Sequence, residues 1–444
     1  MRHTDAEQFS VTRVPALRFG TGSAASIGEL VRQLDGSRPA LITGGKSYEH
    51  VQIRGDLEHS LGQLDRGYER FSVSGEPNPD TVDAIRDAAV SSGTDIVVAV
   101  GGGSVLDTGK AVAAMCRHNG SVEDYLEGVG EKKPEGFRVP LIAVPTTAGT
   151  GSEATKNAVI SRVGEKGYKK SLRHDAFVAD AAVIDPRAGL SAPPQITAAA
   201  GMDAVTQLLE AYVSTGANPF TDALALDGLR RAGAALPLAV SNGADLRARA
   251  EMAYAAYLSG IALANAGLGL VHGYASSLGA LHPIPHGVIC AILVGPVTRK
   301  IADALASASD EQSLFALEKY AHAAAVLEAV SSEVVSEGSP SGAAPSPHTV
   351  TGRSGPANAG TTGEGKERAW MNDEERREHL RDRVHRLASV LEGWLERFSL
   401  PGFAEFGFSE EEIRIGGAAA GLYKSPAALS DTEKAEIVLS SVRA

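Results

Sequence analysis

An α/β N-terminal half followed by an all-helical C-terminal half is the fold class the sequence predicts, on three observations. Up to about residue 190, short apolar or β-branched runs alternate with amphipathic stretches, the pattern of a parallel sheet covered by helices. After Asp185-Pro186 the texture changes to long Ala- and Leu-rich runs at helical spacing, with little strand-like alternation. The length, 444 residues, suits two or three domains. The expected organisation is an α/β domain over 1–190 and an all-helical domain over 191–444, the latter interrupted by a low-complexity insert at 331–366.

Each element follows from a local signal. The clearest strands are Pro39–Thr43, Asp95–Val100, Pro140–Val144 and Ala181–Ile184, and the turns after such strands are where an open α/β sheet places its ligand crevice. From Met252 to Thr298 there is no Asp, Glu, Lys or Arg. Asn265, three histidines, Pro283, Pro285 and several glycines interrupt that run, so it predicts a pair of buried core helices and not a membrane span. Residues 331–366 are rich in Gly, Ser, Pro, Ala and Thr and read as a solvated, disordered loop. Helical spacing returns over Asn372–Arg397, at Leu380, Val384, Leu387, Val390, Leu391 and Leu395.

Composition excludes several classes. Hydrophobic residues at 43% and charged residues at 22% argue against wholesale disorder. A net charge of −12 with no Lys/Arg stripe argues against a general nucleic-acid binder. Two cysteines, Cys116 and Cys290, make no disulfide framework, and the polar run Met1–Phe9 lacks the apolar core of a secretory signal; both suit a cytoplasmic protein.

Three constellations carry chemistry. In the first, the strand ending at Val100 runs into Gly101-Gly102-Gly103-Ser104 and a helix containing Asp107 and Lys110. Such a turn lets backbone approach an anion, and the N–H groups and dipole of the helix start favour a phosphate. The second follows the next strand, Pro145-Thr-Thr-Ala-Gly-Thr-Gly-Ser-Glu153, and combines glycines with the hydroxyls of Thr146, Thr147, Thr150 and Ser152. Two such loops after neighbouring strands suit a long polyphosphate ligand such as a dinucleotide. In the third, Asp203 and Gln207 share a helix face, and His272, His282 and His286 lie in the uncharged run. Neutral buried imidazoles are common metal ligands.

With these residues in view, the chain resembles the group III, iron-containing alcohol dehydrogenases, related to glycerol dehydrogenases. The resemblance is carried by GGGSVLDTGK at 101–110, PTTAGTGSE at 145–153, GMDAVTQLLEAYVS at 201–214 and the HG…PHG pattern at 272–287, in the family's order. It extends from about Leu17 to near the C-terminus, apart from the insert. It implies the dehydroquinate synthase-like architecture, with a dinucleotide-binding α/β domain, a helical domain and a divalent metal, Fe2+ or Zn2+, between them. It further implies that Gly102, Gly103, Ser104 and Asp107 hold the pyrophosphate and nicotinamide side, that Thr146, Thr147 and Ser152 line the nicotinamide, and that Lys169 reaches the ribose.

The chain departs from the family pattern at three points. The usual metal set is Asp-His-His-His, and here Asp203, His272 and His286 are joined by Gln207 where the fourth ligand, a histidine, normally stands. Ser276 replaces a histidine near the nicotinamide, leaving His282 as the candidate proton donor beside the catalytic Asp203, His272 and His286. After the second strand, Gly44-Gly45-Lys46-Ser47 carries no aspartate to repel a 2′-phosphate, so Gly44 and Lys46 predict NADP(H) over NAD(H). The expected activity is reversible hydride transfer between a nicotinamide and a small alcohol or aldehyde by a homodimer or larger assembly. The alternatives are a metal-independent, maleylacetate reductase-like enzyme using Lys170, Arg173 and His174, and a catalytically silent NADP-binding protein.

Overall fold

A computed structural model describes residues 8–164, 167–336 and 371–443. In the α/β half the strands are β1 (Ala16–Phe19), β2 (Pro39–Gly44), β3 (Glu69–Val73), β4 (Ile96–Gly101), β5 (Leu141–Pro145), β6 (Asn157–Arg162), β7 (Tyr168–Arg173) and β8 (Ala181–Ile184). Six of them form one all-parallel sheet in the order β3-β2-β4-β5-β8-β1, while β6 and β7 pair separately and antiparallel. Strands β2, β4, β5 and β8 are buried along their whole length. That is why they read as unbroken apolar runs, since helices cover both faces.

The helices of this half are α1 (Ile27–Gln33), α2 (Lys46–Glu49), α3 (Arg54–Gly62), α4 (Pro79–Ser92) and α5 (Gly103–Met115). Side chains alternate across the sheet: Leu41, Val98 and Ile142 pack with Ile27 and Leu57 on one face, and Ile42, Val97 and Ala99 pack with Val82 and Val112 on the other. Strand β2 sends its connection toward β3, whereas its neighbour β4 sends its connection through α5 toward β5. Their C-terminal ends therefore form the switch point at which open α/β sheets place ligands. Gly44 and Gly101 stand there.

The second half contains α6 (Pro194–Val213), α7 (Pro219–Ser241), α8 (Leu246–Ala266), α9 (Leu270–Leu278), α10 (His286–Ser307), α11 (Glu311–Ser336), α12 (Asp373–Arg397), α13 (Glu410–Ala418) and α14 (Asp431–Arg443). One core runs through it, with Met202, Leu208, Tyr274, Leu293 and Leu387 among its members. Asn372 and Glu375 close a reciprocal capping box at the start of α12, the boundary at which apolar spacing resumes.

Two expectations need correction. The uncharged run is divided among three helices, α8, α9 and α10, because Gly267–Gly269 and Pro283–Pro285 each break it. No single helix among the described residues is long and apolar enough to cross a membrane; α8 and α9 together reach that length but meet at 97°. The insert begins later than composition suggested, since α11 continues through Ser336. The rest of that stretch, 337–366, lies outside the described residues.

Candidate active site

A cavity of about 430 Å³ opens between the two halves. Gly103, Ser104, Asp107, Thr150, Ser152 and Lys169 line it from the sheet side, and Gln207, His272, Ser276, His286 and Tyr423 from the helical side. Sequence reasoning had named most of these residues, and the fold brings them onto one space.

On the sheet side the loop after β4 enters α5 with Gly102 as its N-cap, so the unpaired N–H groups of the first helical turn lie at the cavity wall. A Cβ on Gly103 would lie 2.6 Å from Thr150 Cγ2, which is why no side chain stands there. Gly151 adopts φ +59°, and a Cβ on it would meet Ala256 O at 2.5 Å. Beneath these loops the buried charges are paired internally, although Asn157 Oδ1 beside them is buried without a partner. The Lys110 ammonium donates to Ser152 O (2.9 Å), Thr155 Oγ1 (2.8 Å) and Asn157 O (2.6 Å). Asp107 accepts from Ser152 Oγ and from Val159 N. Asp107 and Ser152 therefore hold the two loops together as well as facing the cavity. Glu153, buried behind them, has its carboxyl pushed up to about 7 by burial.

On the helical side, Asp203 on α6, His272 in the first turn of α9, and His286 and Cys290 on α10 present ligand atoms that all lie within 4.8 Å of one another. From Asp203 Oδ1 the separations are 3.3 Å to His272 Nε2, 3.5 Å to His286 Nε2 and 3.6 Å to Cys290 Sγ. Glu210, two turns further along α6, accepts from Gly269 N (3.0 Å), Val271 N (2.7 Å) and His272 Nδ1 (2.7 Å). One carboxylate thus caps α9 and fixes the ring of His272, leaving Nε2 toward Asp203. Burial pushes His272 down, but Asp203 and Glu210 outweigh it and raise it to about 9. His286 is lowered to about 4 by burial, with the positive charge of Lys169 adding to the effect. Burial also raises the Cys290 thiol, and Asp203 beside it acts in the same direction.

Several candidates stand elsewhere. His282 is not brought to the cavity: its Nε2 lies 3.1 Å from Glu412 Oε1 and its ring packs at 4.2 Å on Phe408, because the Pro283–Pro285 turn directs it toward α13. Gln207 reaches the cavity, but its Oε1 accepts from Ser259 Oγ at 3.0 Å and its amide nitrogen faces Asp203 Oδ1 at 3.3 Å. In that orientation it offers a metal no oxygen. Thr146 and Thr147 line a separate, smaller pocket with Asp185 and Arg249, since the chain after β5 turns toward α6 and α8. Thr147 also backs the first loop, 3.2 Å from where a Gly102 Cβ would stand. Gly44 and Lys46 lie at the end of β2 and the start of α2, outside the cavity lining but at the switch point. Lys169 faces the cavity and pairs with Glu76 at 3.1 Å.

Residues not singled out from sequence complete the site. Cys290 stands four after His286 on one helix, and Glu210 seven after Asp203, so both spacings were visible as shared faces. Tyr423 and Lys424, far along the chain, carried no such signal; Tyr423 adopts φ +48° on the cavity wall and donates to Ser276 Oγ at 3.3 Å.

The chain resembles known proteins along most of its described length. Residues 15–186 match the family model for iron-containing alcohol dehydrogenase, and residues 197–342 match the C-terminal model of the same family. Alcohol dehydrogenase 4 of Saccharomyces cerevisiae is 37% identical over 63% of this chain and 72% of its own. The NAD-dependent methanol dehydrogenase of Bacillus methanolicus is 34% identical over 69% of this chain and 84% of its own. Among solved structures, a 1,3-propanediol oxidoreductase superposes with a TM-score of 0.74 at 27% identity, covering 98% of this chain and 100% of that one.

Proposed function

The chain belongs to the iron-containing alcohol dehydrogenase family, and from that premise we propose that it catalyses reversible hydride transfer between NADP(H) and a small alcohol or aldehyde at a divalent metal. One observation carries the proposal: two imidazoles, with a carboxylate directly behind them, face the same cavity as a glycine-rich helix start.

The donor set fits a cation. His272 Nε2 is buried without a hydrogen-bond partner although it lies 3.3 Å from a carboxylate oxygen. Leaving such a group unsatisfied costs about 1–3 kcal/mol, a cost that a ligand removes. Asp203, His272 and His286 would hold the ion, and Glu210 keeps His272 oriented toward it. When bound, a divalent ion in such a site supplies Lewis-acid polarisation of the substrate oxygen, and a nicotinamide supplies or accepts the hydride.

The chain's own residues bind, orient and shield. The N–H groups at Gly103 and Ser104, with the helix dipole behind them, bind pyrophosphate; Lys169 offers an ammonium along the same wall. Leu263 and Leu268 present apolar surface to the cavity and exclude water from the reacting atoms. Ser276 Oγ and Tyr423 Oη form a hydroxyl pair whose outer member is exposed, a route by which a proton reaches solvent. The preference for NADP(H) is supported by the neutral end of β2 and by its surroundings. Arg70 donates to Thr43 Oγ1 (3.1 Å), and the nearby carboxylate of Glu49 is engaged by Arg54 and Arg70.

The metal-independent alternative has less support, because Arg173 pairs with Glu127 and His174 packs on Phe177. Self-association is proposed through the sheet edge at β1, where Leu17 and Phe19 are exposed. The test of function is NADPH formation from a panel of primary alcohols and diols by zinc- or iron-loaded protein. Turnover that rises with metal loading supports the reading, and no turnover in either direction with any alcohol or aldehyde overturns it.

A further inference from the structure

Resting on the metal-dependent reading above, we propose that the ion in this chain is held by Asp203, His272, His286 and the thiolate of Cys290, with Cys290 taking the place that Gln207 leaves empty. The site then has one sulfur, two nitrogens and one carboxylate oxygen, a mixed set suited to zinc more than to iron.

Geometry supports this set. A four-coordinate ion with bonds of about 2.0–2.3 Å keeps its ligand atoms about 3.3–3.8 Å apart. The separations of 3.3, 3.5 and 3.6 Å from Asp203 Oδ1 to His272, His286 and Cys290 fall in that range before any ion is bound. Asp203 thus faces all three of the others at ligand spacing. Cys290 and His286 stand one turn apart on α10, so a single rigid helix delivers two of the four atoms.

Chemistry points the same way. Cys290 is fully buried, and as a filler of apolar core it would be expected to contact only carbon; its Sγ instead lies against a buried carboxylate oxygen. His272, with 7% of its surface exposed, aims an unpartnered Nε2 into the same space. Gln207 turns its amide nitrogen toward the site, 3.3 Å from Asp203 Oδ1, with its oxygen against Ser259 Oγ at 3.0 Å. The chain's other cysteine, Cys116, ends α5 beside the apolar cluster of the sheet domain and belongs to no group of metal-binding side chains among the described residues. Metal uptake at the proposed site exchanges the Cys290 thiol proton for the cation as the sulfur–metal bond forms, and that proton leaves to solvent. With four protein ligands the substrate oxygen would enter only as a fifth, the expansion that catalytic zinc sites show in the transition state.

X-ray absorption on the full-length chain loaded with one equivalent of zinc tests the proposal directly. The expected spectrum contains one sulfur scatterer at about 2.3 Å, with the remaining nitrogen and oxygen scatterers at about 2.0–2.2 Å. Cys290→Ser should lose the sulfur shell, whereas Cys116→Ser and Gln207→Ala should keep it. Cobalt in place of zinc should show a near-ultraviolet thiolate-to-metal charge-transfer band that the same variants remove or retain. If Cys290→Ser does not fold, the wild-type spectrum with the Cys116→Ser control still decides. Bound zinc with no sulfur shell, or a shell lost in Cys116→Ser, overturns this ligand set and leaves the metal-dependent function intact. Failure of the folded chain to bind zinc overturns both.

Discussion

The two walls of the cavity differ in how complete they are without a ligand. Around the glycine loops the buried charges of the interior are held by protein partners, with Lys110 bound by three oxygens within 2.9 Å and Asp107 accepting from a hydroxyl and a backbone N–H; Asn157 Oδ1 alone is left buried without a partner among the residues around these two groups. Across the cavity, the two imidazoles and the thiol lie 3.3–3.6 Å from one oxygen of the acid, and His272 Nε2 is buried there without a partner. The first wall is a largely self-paired scaffold that offers backbone to a ligand, and the second leaves a ligand-facing imidazole nitrogen open where the proposed cation would bind. Stability should therefore depend on the interior of one wall and activity on the other.

The largest expected effect is on the unfinished wall. Asp203→Ala removes the group that all three other ligand atoms face, so metal content should fall to background and kcat/KM by about a thousandfold, while the melting temperature changes little. Next comes the finished wall. Lys110→Met leaves four buried or half-buried acceptors without their donor and should cost about 3–5 kcal/mol in denaturant unfolding with metal stoichiometry unchanged. A loss of metal in that variant would erase the distinction between the walls.

A pH dependence sharpens the same comparison. The Glu153 carboxyl titrates near 7 in the folded chain against about 4.5 when unfolded, so the folded state binds the proton more tightly between those values. Its contribution to stability is complete below about 4.5 and is lost as pH rises through 7, a span of about 3 kcal/mol. Glu153→Gln should flatten unfolding free energy over that window; an unchanged slope would remove Glu153 as its source. The smallest effect concerns the entrance. Lys46 is exposed at the end of β2, and Lys46→Ala should lower the NADPH-over-NADH preference in kcat/KM by about fivefold to tenfold, about 1 kcal/mol, without altering either wall.

How much of this was legible in the sequence divides along similar lines. Strands β2, β4, β5 and β8 were readable because both faces of each are covered, leaving runs such as Ile96–Val100 uninterrupted by polar residues. Strands β1 and β3, at the sheet edges, are exposed or mixed, and β7 (YKKSLR) has the composition of a solvated turn while pairing in register with β6. Their strand character comes from neighbours that no local pattern displays. At the site, Asp203, His272 and His286 were legible because their types and surroundings are chemically unusual, and the fold brings them within one cluster. Cys290 was weighed only as a disulfide partner, although its spacing from His286 already placed it on the same helix face. The direction of His282 and of the Gln207 amide depended on the double-proline turn and on Ser259, which are tertiary facts.

On the proposed reading, a divalent cation completes the helical wall. The direct measurement is elemental analysis of protein purified without chelators, followed by removal and restoration of the ion with alcohol oxidation monitored throughout. About one zinc or iron per chain is expected, with loss of activity on chelation and recovery on adding back one equivalent. Full activity in a protein carrying no metal would contradict it.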